Sequence, residues 1–194
     1  MGALPKEQPN GRFTYADYKS WELKEGERYE LIRGEAFAMP SPNTRHQAIL
    51  REMFLRFGNH LEGKPCRVYC APFDVRLFYE EGGDENDDTV VQPDIMVVCD
   101  ESKIGDEGIR GAPDLVIEIL SPTDTAIEME EKRYLYWDAG VREYWVVDPK
   151  NNRVTVYCFR DGEVHAKTYE SADTVPVGIF PGFGIDLERV FAKR

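Results

Sequence analysis

The stretch that decides the fold runs from Gln92 to Lys132, QPDIMVVCDESKIGDEGIRGAPDLVIEILSPTDTAIEMEEK. Two apolar runs, Val90 to Val98 and Leu115 to Leu120, have the length and composition of buried strands. A loop containing Gly105, Gly108 and Gly111 separates them. Each run carries a carboxylate, Asp94 in the first and Glu118 in the second, and a charge in a buried strand is costly unless it is paired or bound to a metal. After the second run, Pro122 lies just outside a helix, Thr125 and Glu128 have capping-box spacing, and Gly140 suits a C-terminal stop. The spacing predicts a helix over about residues 126–139, which carries Lys132.

Working outward, REYWVVDP reads as a strand that follows this helix, so the strand, helix and strand of residues 115–147 form a right-handed crossover between parallel strands. Pro149 to Asn152 is a turn, RVTVYCFR an antiparallel partner, and Asp161-Gly162 turns the chain into VHAKTYE. Upstream, Thr14 to Trp21 reads as a short helix with Thr14 and Asp17 at its cap. Tyr29 to Ile32 and Glu35 to Met39 read as a hairpin turning at Arg33-Gly34. Leu50, Met53, Phe54, Phe57 and Leu61 at helical spacing, after a Thr44/Gln47 capping box, predict a long amphipathic helix over about 44–62. Cys66 to Phe78 is a strand bent at Pro72, and the acidic EEGGDENDD after it is an exposed hairpin tip. That acidic run is not an EF-hand, because Thr89 stands where the loop needs Gly and Ile95 where it needs Glu. The segment from Pro181 to Phe191 has the apolar pattern of a docked terminal element. The fold class expected is α/β of the α+β kind, a mixed central sheet flanked by helices with an N-terminal hairpin and a C-terminal β-meander.

The length, 194 residues at 42% hydrophobic content, suits one domain over residues 1–194 with a sizeable core, about 29–157. MGALPKEQPNGRF lacks the apolar stretch of a secretory signal, and no run approaches the roughly 18 apolar residues of a membrane span. A cytoplasmic protein is expected. The four cysteines, Cys66, Cys70, Cys99 and Cys158, show no CxxC spacing and with three scattered His make a zinc site of usual spacing unexpected; they read as buried reduced thiols. The formal charge of −12 works against binding of nucleic acid, where Lys and Arg must replace counterions at phosphates, although six of the acids sit in Glu80–Asp88.

Two PD dipeptides, Pro93-Asp94 and Pro113-Asp114, compete as the partner of Glu118. Residues 114 and 118 share one strand, which puts their backbones roughly 13 Å apart at about 3.3 Å per residue. That is too far for two short carboxylates to share a cation with oxygen ligands at about 2.1 Å. Asp94, on a strand that can lie beside Glu118 at about 4.8 Å, is the better partner, and Asp114 is the start of its own strand. Two carboxylates holding a divalent cation leave positions open for a phosphate oxygen and a water whose pKa the ion lowers; a nearby lysine stabilises the developing charge or takes the proton.

YELIRGE, SPNTRHQ, QPDIMVV, APDLVIEILSP, the helix lysine and GVREYWVVDP, in this order over Tyr29 to Tyr157, closely resemble the Uma-two type family of restriction-endonuclease-like proteins in the PD-(D/E)xK nuclease superfamily. The resemblance implies a magnesium- or manganese-dependent endonuclease acting on DNA, with Asp94 and Glu118 as metal ligands, the Ile119 carbonyl as a third, and a homodimer. The chain departs from the pattern at Leu120, where the ExK motif has its lysine; Lys132 fits the members whose lysine has migrated to the following helix. The missing motif lysine and the charge leave two other functions open: a metal-free binding or assembly module on the same fold, and a hydrolase of smaller phosphoesters.

Each residue also has a plainer reading. Asp94 is either a metal ligand or a strand-end cap, and Glu118 either a ligand or half of an ion pair with an arginine such as Arg76. Lys132 stands four residues after Glu128, ordinary surface-pair spacing. His46, at the first turn of the long helix, either touches a phosphate or metal-bound water or is simply a polar helix start. Glu35 and Asp74 are second-tier site candidates, and Tyr136 either packs on the Lys132 stem or belongs to the core. The cluster of Tyr134, Tyr136, Trp137, Tyr144 and Trp145 reads as packing or a subunit contact rather than a base-stacking platform.

Overall fold

Reciprocal hydrogen bonds between Thr14 and Asp17 start α1 (Tyr15–Ser20), the first element in a computed structural model that describes residues 11–122 and 124–192. The segment MGALPKEQPN, read above for its lack of a signal, lies outside the described residues. The hairpin of β1 (Tyr29–Ile32) and β2 (Glu35–Ala38) turns at Arg33 and Gly34 with φ 50° and 81°. This is the left-handed pair that a tight hairpin requires. Helix α2 (Thr44–Leu61) buries Ile49, Met53, Phe57 and Leu61 along one face. Its cap is Asn43, whose side chain accepts the His46 N–H at 2.9 Å, so the expected Thr44/Gln47 box is displaced by one residue.

Two segments read as continuous strands each break at a proline, which has no N–H for the ladder. β3 (Arg67–Cys70) and β4 (Val75–Arg76) flank the cis Ala71–Pro72 bond, and β5 (Val90–Val91) and β6 (Ile95–Val98) flank Pro93. The short β7 (Ile104–Gly105) and β8 (Gly108–Arg110) precede β9 (Leu115–Ile119), α3 (Ala126–Ala139) and β10 (Glu143–Asp148). β11 (Arg153–Arg160), β12 (Glu163–Glu170), β13 (Thr174–Pro176), β14 (Gly184–Asp186) and α4 (Leu187–Phe191) complete the chain.

The two halves of each proline-broken segment join different sheets. The larger sheet has the order β12-β11-β10-β9-β6-β3, and the other six-stranded sheet β2-β1-β5-β4-β8-β7. In the larger one β9 and β10 run parallel across α3 while every other neighbour is antiparallel, so the sheet is mixed as expected and the last three strands form the meander. One face packs under α2, α4 and the β13–β14 hairpin around Phe57, Trp145 and Leu187. The other face, with Met96, Val116 and Tyr144, meets α3 and the second sheet through Val75, Val91 and Ile109. Every residue of β6 and β9 is buried, which explains their unbroken apolar runs.

Two further expectations need correction. The acidic stretch joins β4 to β5 as a hairpin, but it is not simply exposed. Asp87 is buried and accepts from Arg76 Nε at 2.6 Å, while Asp84 pairs with Lys19 at 2.6 Å and Arg76 at 2.7 Å. The cysteines are not all reduced either. The β3–β6 register, Arg67 opposite Val98, sets Cys66 against Cys99 one step further on, and the two form a disulfide. Sequence separation hides such a pair; strand register creates it. Cys70 and Cys158 are free.

Candidate functional site

The β6–β9 ladder pairs Val97 with Leu115, Met96 with Val116 and Ile95 with Ile117; the next step sets Asp94 opposite Glu118. Period-two alternation then gives both residues the face of Met96 and Val116, toward α3. Both line one cavity of about 470 Å³, together with Glu30 from β1, His46 from the first turn of α2, and Lys132 from α3. The crossover from β9 through α3 brings Lys132 back over the strand it left, and its Nζ stands 2.9 Å from Glu118 Oε1 and 2.9 Å from Glu30 Oε2.

One ammonium thus serves two buried carboxylates. Each contact is worth about 6 kcal/mol of gross attraction at an effective dielectric near 20, comparable to the cost of taking the charges out of water. The cluster therefore fixes geometry more than it adds stability. Tyr136, fully buried, donates its hydroxyl to Glu118 Oε1 at 2.7 Å. Burial, with Glu30 and Asp94 adding to it, pushes the Glu118 carboxyl up to about 7 against the opposing pull of Lys132 and the Tyr136 hydroxyl. Burial disfavours the Lys132 charge, but Glu118 and Glu30 outweigh it and hold the amine protonated well above its ordinary range.

Asp94 Oδ2 accepts the Ile119 N–H at 2.7 Å and meets His46 Nε2 at 3.1 Å. Burial works against a charged His46, yet Asp94 raises its pKa above the usual imidazole value. His46 Nδ1 is buried without a partner among the described residues. The bonds to Asp94 fall on Oδ2 and those to Glu118 on Oε1, which leaves the second oxygen of each without a protein donor among the described residues. Two acids with uncommitted oxygens, in a cluster that carries excess negative charge, are a donor set that fits a hard divalent cation completed by water and substrate oxygens. No group of three or more His, Cys, Asp and Glu placed to hold a metal ion occurs among the described residues.

The structure brings Asp94, Glu118, Ile119, Lys132 and His46 to this cavity, and Tyr136 to its floor through Glu118. Glu118 pairs with Lys132 and not with Arg76, which is held by Asp84 and Asp87. Glu35 is exposed and lines a different hollow, beside Glu131 and Trp137, so this hairpin acid is outside the cluster. Asp74 does not line the cavity either; it accepts from Gln92 Nε2 at 2.8 Å and the Tyr18 hydroxyl at 3.1 Å, and burial raises its pKa. The residue that sequence reasoning passed over is Glu30, 4% exposed, whose Oε1 also accepts the Gln92 N–H at 3.0 Å. Its signal was present, a carboxylate flanked by Tyr29 and Leu31 in a strand with three of four residues buried. Of the aromatic cluster, Tyr136, Tyr144 and Trp145 are core, while Tyr134 and Trp137 stay exposed.

The family model Uma2, described as "Putative restriction endonuclease", matches residues 15–188. The uncharacterized protein slr1290 of Synechocystis sp. is 24% identical over 182 residues, which cover 92% of each chain. A crystal structure from Anabaena variabilis, described as a putative nuclease belonging to DUF820, superposes with a TM-score of 0.71 at 23% identity, covering 92% of this chain and 97% of that one. That likeness shows a shared fold. Among the described residues no helix is long and apolar enough to cross a membrane.

Proposed function

This chain belongs to the Uma2 family of restriction-endonuclease-like proteins, and from that premise we propose that it is a divalent-metal-dependent endonuclease that hydrolyses phosphodiester bonds of DNA. The observation that carries the reading is the convergence of Asp94, Glu118 and Lys132 on one cavity. Asp94 and Glu118 would hold magnesium or manganese, with the Ile119 carbonyl as a further donor. When bound, such an ion polarises the phosphate and lowers the pKa of a water molecule.

The chain's own groups divide the remaining work. His46 and the Ile119 N–H fix the Asp94 carboxylate on one oxygen. Tyr136 and Lys132 do the same for Glu118. Lys132, held as a cation by two acids, suits stabilisation of charge on the phosphorus centre rather than removal of a proton. Glu30 positions that amine from the other side. A homodimer is part of this reading, with exposed Tyr134 and Trp137 as the surface available to a second copy.

The test is incubation of plasmid and single-stranded DNA with the protein in magnesium or manganese. Wild type should cleave and an Asp94→Ala, Glu118→Ala double variant should not; equal behaviour would remove DNA hydrolysis. The second reading, an inactive binding module, is favoured by Leu120 at the motif-lysine position and by the net charge of −12. Calorimetry decides it: carboxylate-dependent uptake of manganese supports the enzyme, and no uptake supports the module.

A further inference from the structure

Resting on that nuclease reading, the shape and charge of the cavity identify its preferred substrate: we propose that it receives one unpaired nucleotide of single-stranded DNA, with the base against Phe37 and the phosphate at Lys132.

Three observations carry this. First, the cavity of about 470 Å³ is the size of small-molecule sites, about 300–1,000 Å³. Its reactive groups lie inside, Glu118 and Glu30 each less than a tenth exposed. A single strand enters such a recess without the cost, roughly a few kcal/mol, of unpairing and unstacking a duplex nucleotide. Second, one wall is apolar. Phe37 on β2 is 42% exposed, and Met39, Pro40, Pro42 and, from α3, Met129 line the same cavity. An exposed ring at the mouth of a charged cavity is a stacking surface, and base–aromatic stacking is tolerant of sequence. Third, the lining is acidic. Glu30, Asp94, Glu118, Asp124, Glu128 and Glu131 contribute six carboxylates against the two cations Arg28 and Lys132, on a chain of net charge −12. With Lys132 already shared by Glu118 and Glu30, the lining offsets no more than about one or two phosphates, whereas duplex recognition through the backbone engages about six to ten. A rim carboxylate such as the exposed Glu131 repels a further phosphate but accepts a hydrogen bond from a base amino group.

Fluorescence anisotropy with one labelled oligonucleotide, as a single strand and as its duplex, tests the inference in calcium, alongside cleavage of both in manganese. The single strand should bind at least tenfold tighter than the duplex. Its log–log salt slope should be shallow, about −1 for one or two phosphates at about −0.7 each. Phe37→Ala should weaken binding about tenfold and Phe37→Trp should restore it, and because Phe37 is half exposed the fold should survive both. Equal or tighter binding of the duplex, no binding of the single strand, or no effect of Phe37→Ala overturns the inference. Cleavage answers separately: efficient duplex cutting removes this inference and leaves the nuclease reading standing. Single-strand binding without any cleavage does the reverse.

Discussion

The ammonium of Lys132 stands 2.9 Å from Glu118 across 14 residues of sequence. In the ExK arrangement the lysine would lie two residues beyond the glutamate on the same strand, and there this chain has Leu120. The helix returns an amine to the carboxylate from above the sheet, so the charge pair survives the loss of the motif position. Lys132→Met should reduce DNA cleavage about 100-fold or more, the usual cost of losing one transition-state donor. It should also destabilise the protein by about 3 kcal/mol, because Glu30 and Glu118 are left buried without their cation. Urea denaturation and single-turnover cleavage check the two halves; a variant with more than half of wild-type cleavage would rule out this lysine.

Tyr136→Phe removes one oxygen that donates at 2.7 Å to Glu118. Stability should fall by about 1–2 kcal/mol for the lost buried hydrogen bond. Since that bond favours the charged carboxylate, its loss moves the Glu118 pKa further upward. Manganese affinity measured calorimetrically across neutral pH should then develop at higher pH than in wild type, and an unshifted profile would remove the coupling.

Glu143 gives a pH dependence remote from the cavity. It is 1% exposed, accepts from Trp145 Nε1 at 2.7 Å and the Ile179 N–H at 3.1 Å, and burial raises its pKa above the ordinary 4.5. A carboxyl whose folded pKa is raised binds more protons folded than unfolded between the two values, so its contribution favours folding at low pH and is lost as pH rises through that window. The stability difference between wild type and Glu143→Gln should therefore slope over the window starting near pH 4.5 and be flat above it. Denaturant midpoints at a series of pH values measure this.

The Cys66–Cys99 disulfide closes a loop with a sequence separation of 33. Loop-closure entropy for that length corresponds to about 3–4 kcal/mol. Reduction should lower the urea midpoint accordingly, and the unfolded oxidised chain should titrate two thiols, rising to four after reduction. Four thiols before reduction would exclude the bond.

What the chain discloses before folding follows from how local each determinant is. The cap, length and stop of α3 rest on Thr125, Glu128 and Gly140, all interactions within a few residues, and the helix falls at Ala126–Ala139 as spacing predicts. The meander and the parallel crossover are equally local or governed by handedness. Register is not local. Choosing Asp94 over Asp114 needed only the length of a strand, whereas Glu30 and Glu35 share one face of the hairpin, Glu30 opposite Phe37 and Ile32 opposite Glu35, so choosing between them needed to know how far along that face the neighbouring elements cover it. The Cys66–Cys99 bond and the switch of sheet at Pro72 and Pro93 depend on long-range pairing in the same way.

The proline at residue 93 has a mechanical corollary. Val91 belongs to the sheet that carries Glu30, Ile95 to the sheet that carries Glu118, and Asp94 lies in the short connector between them. The polar cluster is thus a clasp across a seam, and any sliding of one sheet past the other would pull its halves apart. A divalent ion or a phosphate seated there would rivet the two layers together, so occupancy should register as rigidity far from the cavity itself.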